Sequence, residues 1–344
     1  MKAVVVHGQG DLRVDTLPDP VPGPGEVLLA VEWGGICGSD LSYVAHGSSG
    51  TAILKHPLVL GHEFAGRVAM LGEGVSVPLG LRAAVYPPTL SGDGELPARI
   101  AGRVNLYPRV SYYGSAALDP HTDGGFSQFK VVRPDQLLPL PPSVDTKRGA
   151  LAEPLGVALH AAHRAEAGVP GGVVGRSVLV NGAGPIGALT VAAVKRLGAA
   201  HVVAADLSDA ALAVAAQLGA DETVNATRSA LPTDMELVFE ASGAPGALGA
   251  VLRATAAGGT LVQVGNLSAK PVTAILGDLV TREITWLGSF RFVNEMREAI
   301  DLLADGLYVD PVMTHEFPID QAEAAFRTAA DRASGSSKVM LKLI

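Results

Sequence analysis

At 344 residues, with 48% hydrophobic and 17% charged side chains, the chain is long enough for two packed domains and too apolar to be disordered. A net charge of −8 with no run of Lys or Arg offers no positive stripe to nucleic acid or an anionic membrane, so a small-molecule partner is expected. No apolar run reaches the roughly 18 residues of a membrane span, and the opening MKAVVVHGQGDLRV is interrupted too early for a signal peptide, so a cytoplasmic protein is expected.

The first 150 residues carry short alternating or β-branched runs, KAVVV, EVLLAVEW, FAGRVAML and FSQFKVV, separated by turns such as PDPVPGPGE. This rhythm predicts an irregular β domain. Within it, GGICGSDLS holds Cys37, the single cysteine of the chain, so no intrachain disulfide can form. A lone thiol is a small buried hydrophobe, a reactive group or a metal ligand. Further on, LGHEFAG brings His62 and Glu63, and LAEPLGVALHA brings Glu153 and His160. Thiolate, imidazole and carboxylate are the usual zinc donors, and three protein ligands with one exchangeable position describe a catalytic site. Taken singly, each of these residues reads equally well as a packed core group.

From about Ser177 the pattern changes to buried strands, SVLVNG, HVVAAD, MELVFEAS and TLVQVG, alternating with Ala/Leu-rich helical stretches. Such alternation predicts a parallel sheet built from βαβ units. Gly182, Gly184 and Gly187 lie between the first of these strands and a helix, the context that makes G-x-G-x-x-G a dinucleotide motif. The first glycine permits the tight turn, the second the approach of a pyrophosphate, and the third close helix packing. Pro185 and Ile186 inside the motif, with Val264, Gly265 and Ser289 further on, complete the expected cofactor contacts. Asp206 ends the second strand, where a carboxylate accepts from ribose hydroxyls and repels a 2′-phosphate, so NAD is favoured over NADP. A helical segment from Asn294 to Gly306 and a terminal strand, SKVMLKLI, follow, and the pattern alone assigns them to neither domain.

In their order and spacing, GGICGSD, GHEFAG, AEPL and GAGPIG resemble the zinc-dependent medium-chain dehydrogenase/reductases along the whole chain. The HE pair and the EPL segment resemble the polyol dehydrogenase branch. The resemblance implies an α/β protein: a GroES-like irregular β-barrel catalytic domain over 1–150, a Rossmann doubly wound parallel sheet over 151–290, and a return to the catalytic domain over 291–344. It implies Cys37, His62 and Glu63 as zinc ligands and Glu153 as a carboxylate reaching the metal directly or through water. Ser39 is then the acceptor of the substrate's hydroxyl proton, joining Cys37, His62 and Glu153 as the catalytic set, while Tyr43 and Glu153 hold neighbouring hydroxyls. YYGSAALDPHTDGGF and LGSFRF resemble members that oxidise sugar acids. Arg291, between Phe290 and Phe292, is expected to pair with a substrate carboxylate, and Phe292 to wall the pocket. The implied reaction is NAD-dependent oxidation of a secondary hydroxyl on an aldonate such as L-idonate, by a homodimer or homotetramer. A sorbitol/xylitol-type dehydrogenase, a threonine dehydrogenase and a catalytically silent NAD-binding relative are the alternatives.

Two departures stand out. Most of the family carries a structural zinc on four cysteines, and here those positions fall on Asp93, Leu96, Arg99 and Tyr107. One catalytic zinc and no structural zinc is expected, with an Asp93–Arg99 ion pair over Leu96 and Tyr107. Ser42 occupies the place of a potential proton-relay histidine, and the nearest substitute in sequence is His46.

Overall fold

The computed structural model describes residues 1–267 and 271–344. The chain forms two compact units, Met1–Glu153 with Met296–Asp305 and Met313–Ile344, and Pro154–Glu295 with Gly306–Val312. Both main divisions lie a few residues beyond the expected 150/151 and 290/291. Glu295 is held within the second unit because its carboxylate bonds His160 Nδ1 at 2.8 Å.

The first unit is built on a seven-stranded sheet. Its path runs Leu137–Pro139, Arg82–Val85, Glu63–Leu71, Val27–Gly35, Lys338–Lys342 and Met313–Pro318, with Phe129–Val132 also paired to Val27–Gly35. Alternation sends Val27, Leu29 and Val31 to one face, where they join Phe64, Phe126, Val339 and Leu341 in the core. Two pairings decide the site. Val27–Gly35 runs antiparallel to Glu63–Leu71 with Gly35 opposite Glu63. The C-terminal strand Lys338–Lys342 then lies antiparallel along Trp33–Gly35, with Met340 opposite Gly35. The end of the chain thereby reaches the cysteine-bearing turn.

The second unit contains a six-stranded parallel sheet. Its spatial order is Glu222–Asn225, His201–Asp206, Ser177–Asn181, Met235–Glu240, Thr255–Gln263 and Thr285–Gly288. The apolar runs of these strands are buried, with Leu179, Val203, Ala205, Val238 and Leu261 in one core. The chain builds outward from Ser177–Asn181 first to one side and then to the other. That reversal makes a topological switch point, and open α/β sheets bind ligands at the carboxyl ends of the strands there. Among the described residues, no helix is long and apolar enough to cross a membrane.

The lobe without cysteines departs from expectation. Asp93 pairs with Tyr107 rather than with Arg99: the phenol donates to Asp93 Oδ1 at 3.0 Å and accepts from Gly94 N–H at 3.2 Å. The backbone N–H of Glu95, followed by that phenol, holds the Asp93 carboxyl below its ordinary value. Tyr107 is buried, Leu96 half-buried and Arg99 exposed. Two of the four expected ligand positions therefore bond to each other through a neutral donor.

Candidate functional site

Cys37 is the N-cap of the helix Gly38–His46, and its backbone N–H donates to Asp40 Oδ2 at 2.9 Å. The helix N-terminus favours negative charge at this point. Asp40 is fully buried and also accepts from Gly61 N–H at 3.3 Å, with Oδ1 lying 3.9 Å from His62 Nδ1. A single carboxylate thus ties the cysteine turn to the histidine turn. Glu63 follows in the adjacent strand, and Gly35 opposite it is required: a Cβ there would lie 2.3 Å from Glu63 Oε2.

The donor atoms of Cys37, His62 and Glu63 all lie within 4.8 Å of one another. Glu63 Oε1 accepts from Lys338 Nζ at 2.7 Å, and Lys338 also donates to Ile36 O at 3.1 Å. Glu63 Oε2 is buried and has no hydrogen-bond partner. An orphaned carboxylate oxygen in a buried site is costly unless something positive meets it, and the Glu63 side chain belongs to the same cluster as a thiol and an imidazole. Burial works against a charged His62, yet the Cys37 sulfur and the Asp40 and Glu153 carboxylates outweigh it and push the imidazole up to about 10. Side chains that hold a proton this strongly carry the excess negative charge a divalent cation needs. The donor set fits zinc.

Glu153 stands beside this group and outside it. It opens the helix Ala152–Arg164, is 5% exposed, and accepts a 2.6 Å hydrogen bond from the Tyr112 hydroxyl. Burial pushes its carboxyl up, against the pull of His62. Ser39 is half-buried in the first helical turn. Tyr43 is buried, and its hydroxyl accepts from Ala116 N–H at 2.9 Å. Ser42 donates to Ser48 O at 2.7 Å, and His46 is exposed. Three residues of this site were not assigned a role from sequence. Asp40 lies inside the quoted cysteine motif and Tyr112 inside a quoted segment, whereas nothing local marks Lys338.

In the second unit, Gly182 turns the chain at φ 92° and Gly184 caps the helix Pro185–Arg196, whose first two residues are Pro185 and Ile186. Gly187 must lack a Cβ, which would fall 1.7 Å from Gly182 O. Asp206 braces this turn: Oδ2 accepts from Ala183 N–H at 2.6 Å and Oδ1 from Ser208 N–H at 2.9 Å. Val264 and Gly265 both donate to Glu240 O at 2.8 Å, and Ser289 donates to Gln263 O at 2.9 Å. These contacts lie at the carboxyl ends of neighbouring parallel strands. Arg291 sits at φ 52° with its guanidinium 4.8 Å from the Phe290 ring centroid. Phe292 is only 1% exposed, while Phe290 is exposed.

Residues 23–142 match the alcohol dehydrogenase GroES-like domain and residues 185–305 the zinc-binding dehydrogenase domain. Sorbitol dehydrogenase of Gallus gallus is 40% identical over 99% of this chain and 96% of its own length. L-idonate 5-dehydrogenase (NAD(P)(+)) of Escherichia coli K12 is 38% identical over 91% of each. The crystal structure of the Escherichia coli L-idonate 5-dehydrogenase superposes with a TM-score of 0.90 at 36% identity, covering 99% of this chain and 97% of that one. The chain belongs to the zinc-binding, medium-chain dehydrogenases, in their polyol dehydrogenase branch. It is an NAD(P)-dependent zinc dehydrogenase.

Proposed function

We propose that this enzyme oxidises a secondary hydroxyl of a sugar acid, L-idonate to 5-ketogluconate and the reverse, with NAD as acceptor. The observation that carries the metal chemistry is Glu63 Oε2, buried and unpartnered beside Cys37 and His62. These three side chains would hold the zinc, with Glu153 beside them. A zinc ion supplies Lewis acidity there, lowering the cost of negative charge on the substrate oxygen. The reaction moves a hydride from the carbinol carbon to NAD and releases the hydroxyl proton.

Ser39 takes that proton and passes it outward, since Ser42 is committed to Ser48 O and His46 is exposed. Glu153 and Tyr43 orient neighbouring hydroxyls. Asp206, fixed by two backbone N–H groups, presents a negative charge that disfavours a 2′-phosphate, which supports NAD. Arg291 supports the aldonate: a non-glycine residue held at φ 52° stores backbone strain, which is found where a side chain must be aimed, and a guanidinium pairs bidentately with a carboxylate. Phe292, nearly fully buried, walls the pocket from its packed position. The free edge of Thr285–Gly288 in the parallel sheet suits assembly as a homodimer or homotetramer.

A sorbitol-type activity is the second reading, supported by the 40% identity to the avian sorbitol dehydrogenase. A panel of aldonates, sorbitol, xylitol and threonine, run with NAD and NADP on zinc-loaded protein, tests both. A higher kcat/KM for L-idonate with NAD is expected. Equal or better turnover of an uncharged polyol would remove the aldonate assignment.

A further inference from the structure

We propose that Tyr112 is a positioning residue that holds Glu153 away from the cation site, keeping Cys37, His62 and Glu63 as the protein ligands and the fourth position open to substrate. The inference rests on the zinc dehydrogenase reading above. Tyr112 and Glu153 are each 5% exposed, and the phenol donates to Glu153 Oε1 at 2.6 Å. The same ring meets His62 edge-on, with centroids 5.6 Å apart. Tyr112 therefore packs against one donor residue while its hydroxyl grips a carboxylate that lies outside the cluster of Cys37, His62 and Glu63.

The physical reason is a competition. A buried carboxylate beside a divalent cation is attracted to it with little screening by water. Four protein ligands describe a closed, structural zinc site, whereas a catalytic site keeps one position for water or substrate. An O–H···O⁻ bond of this length is charge-assisted and directional. It fixes the Glu153 carboxylate in the direction of Tyr112, leaving it able to meet a substrate hydroxyl. Lys338 has the complementary effect on Glu63, taking Oε1 and leaving Oε2 for the cation.

Tyr112→Phe keeps the ring against His62 and removes the hydroxyl that grips Glu153. The variant is expected to bind zinc about tenfold more tightly, measured by competition with a chromophoric chelator, and to turn over about tenfold more slowly, shifts of the size that outer-shell changes produce. The cobalt(II)-substituted variant should show altered d–d absorption as a fourth protein ligand enters. Glu153→Gln alone, which still accepts from Tyr112, should leave zinc affinity within about twofold of wild type, and adding Tyr112→Phe to it should then change neither affinity nor spectrum. Unchanged zinc affinity and cobalt spectrum in Tyr112→Phe, or a large loss of zinc in Glu153→Gln, overturns the positioning role alone. Wild-type protein that takes up no zinc overturns the dehydrogenase reading with it.

Discussion

Lys338 and Glu63 form a buried ion pair at 2.7 Å between residues 275 apart in the chain, and this pair leaves Glu63 Oε2 without a hydrogen-bond partner in the residue that clusters with Cys37 and His62. Burial works against the charge on Lys338, but Glu63 and then Cys37 outweigh it and keep the ammonium protonated. Breaking a buried pair from one side leaves an uncompensated charge and costs about 3–5 kcal/mol. Lys338→Met should therefore lower the thermal midpoint sharply in chelator-treated protein and less after zinc is restored, because the cation offsets the orphaned carboxylate. Equal losses with and without zinc would argue against Glu63 as a ligand.

Cys37→Ser should lose zinc and activity together, as judged by metal analysis beside the NADH assay. Activity retained in metal-free variant protein would refute the mechanism.

Metal analysis of the wild type should find one zinc per subunit, since Asp93 and Tyr107 satisfy each other in the cysteine-free lobe. Tyr107→Phe removes two part-buried hydrogen bonds, to Asp93 and from Gly94 N–H, so a loss of about 1–3 kcal/mol is expected in denaturant unfolding. A second zinc, or a collapse of stability, would contradict this account of the lobe.

Arg291→Ala should raise KM for an aldonate about tenfold or more, the equivalent of one charge-assisted hydrogen bond, while changing KM for sorbitol little. Parallel steady-state measurements on the two substrates decide it; equal effects on both exclude carboxylate pairing.

Asp206→Ala should weaken NAD binding about tenfold and narrow the preference over NADP, because it removes both a negative charge and the brace on Ala183 N–H. NADH and NADPH fluorescence titrations measure the two effects. Equal losses for NADH and NADPH, leaving the preference unchanged, would show that the brace, not the charge, is what matters.

Glu295 gives a pH dependence. Burial raises its pKa, but His160, His163 and the Val293 N–H more than offset this and hold the carboxyl far below its ordinary value. A depressed folded-state pKa gives stability that is fully present above the unfolded value, near pH 4.3, and is lost as pH falls from there towards the folded value. The thermal-midpoint gap between wild type and Glu295→Gln should be fully developed above about pH 5 and shrink as pH falls below it. A gap that is constant across this range would show that the pair does not titrate.

The sequence by itself determined the chemical types and the local geometry. Gly182, Gly184 and Gly187 between strand and helix define the dinucleotide turn because each acts on atoms within a few residues of itself, and GGICGSD and GHE announce their donors for the same reason. Only the tertiary structure decided how these groups are used. Lys338 reaches Glu63 because the C-terminal strand pairs with Trp33–Gly35, a register that no local pattern specifies. Tyr112 grips Glu153 across 41 residues, and Tyr107 takes Asp93 in place of Arg99. Hydrogen bonds are won or lost within about an ångström, whereas strand order and loop course set positions over tens of residues. The residue types of the site are therefore legible in sequence, while the assignment of each carboxylate oxygen belongs to the fold.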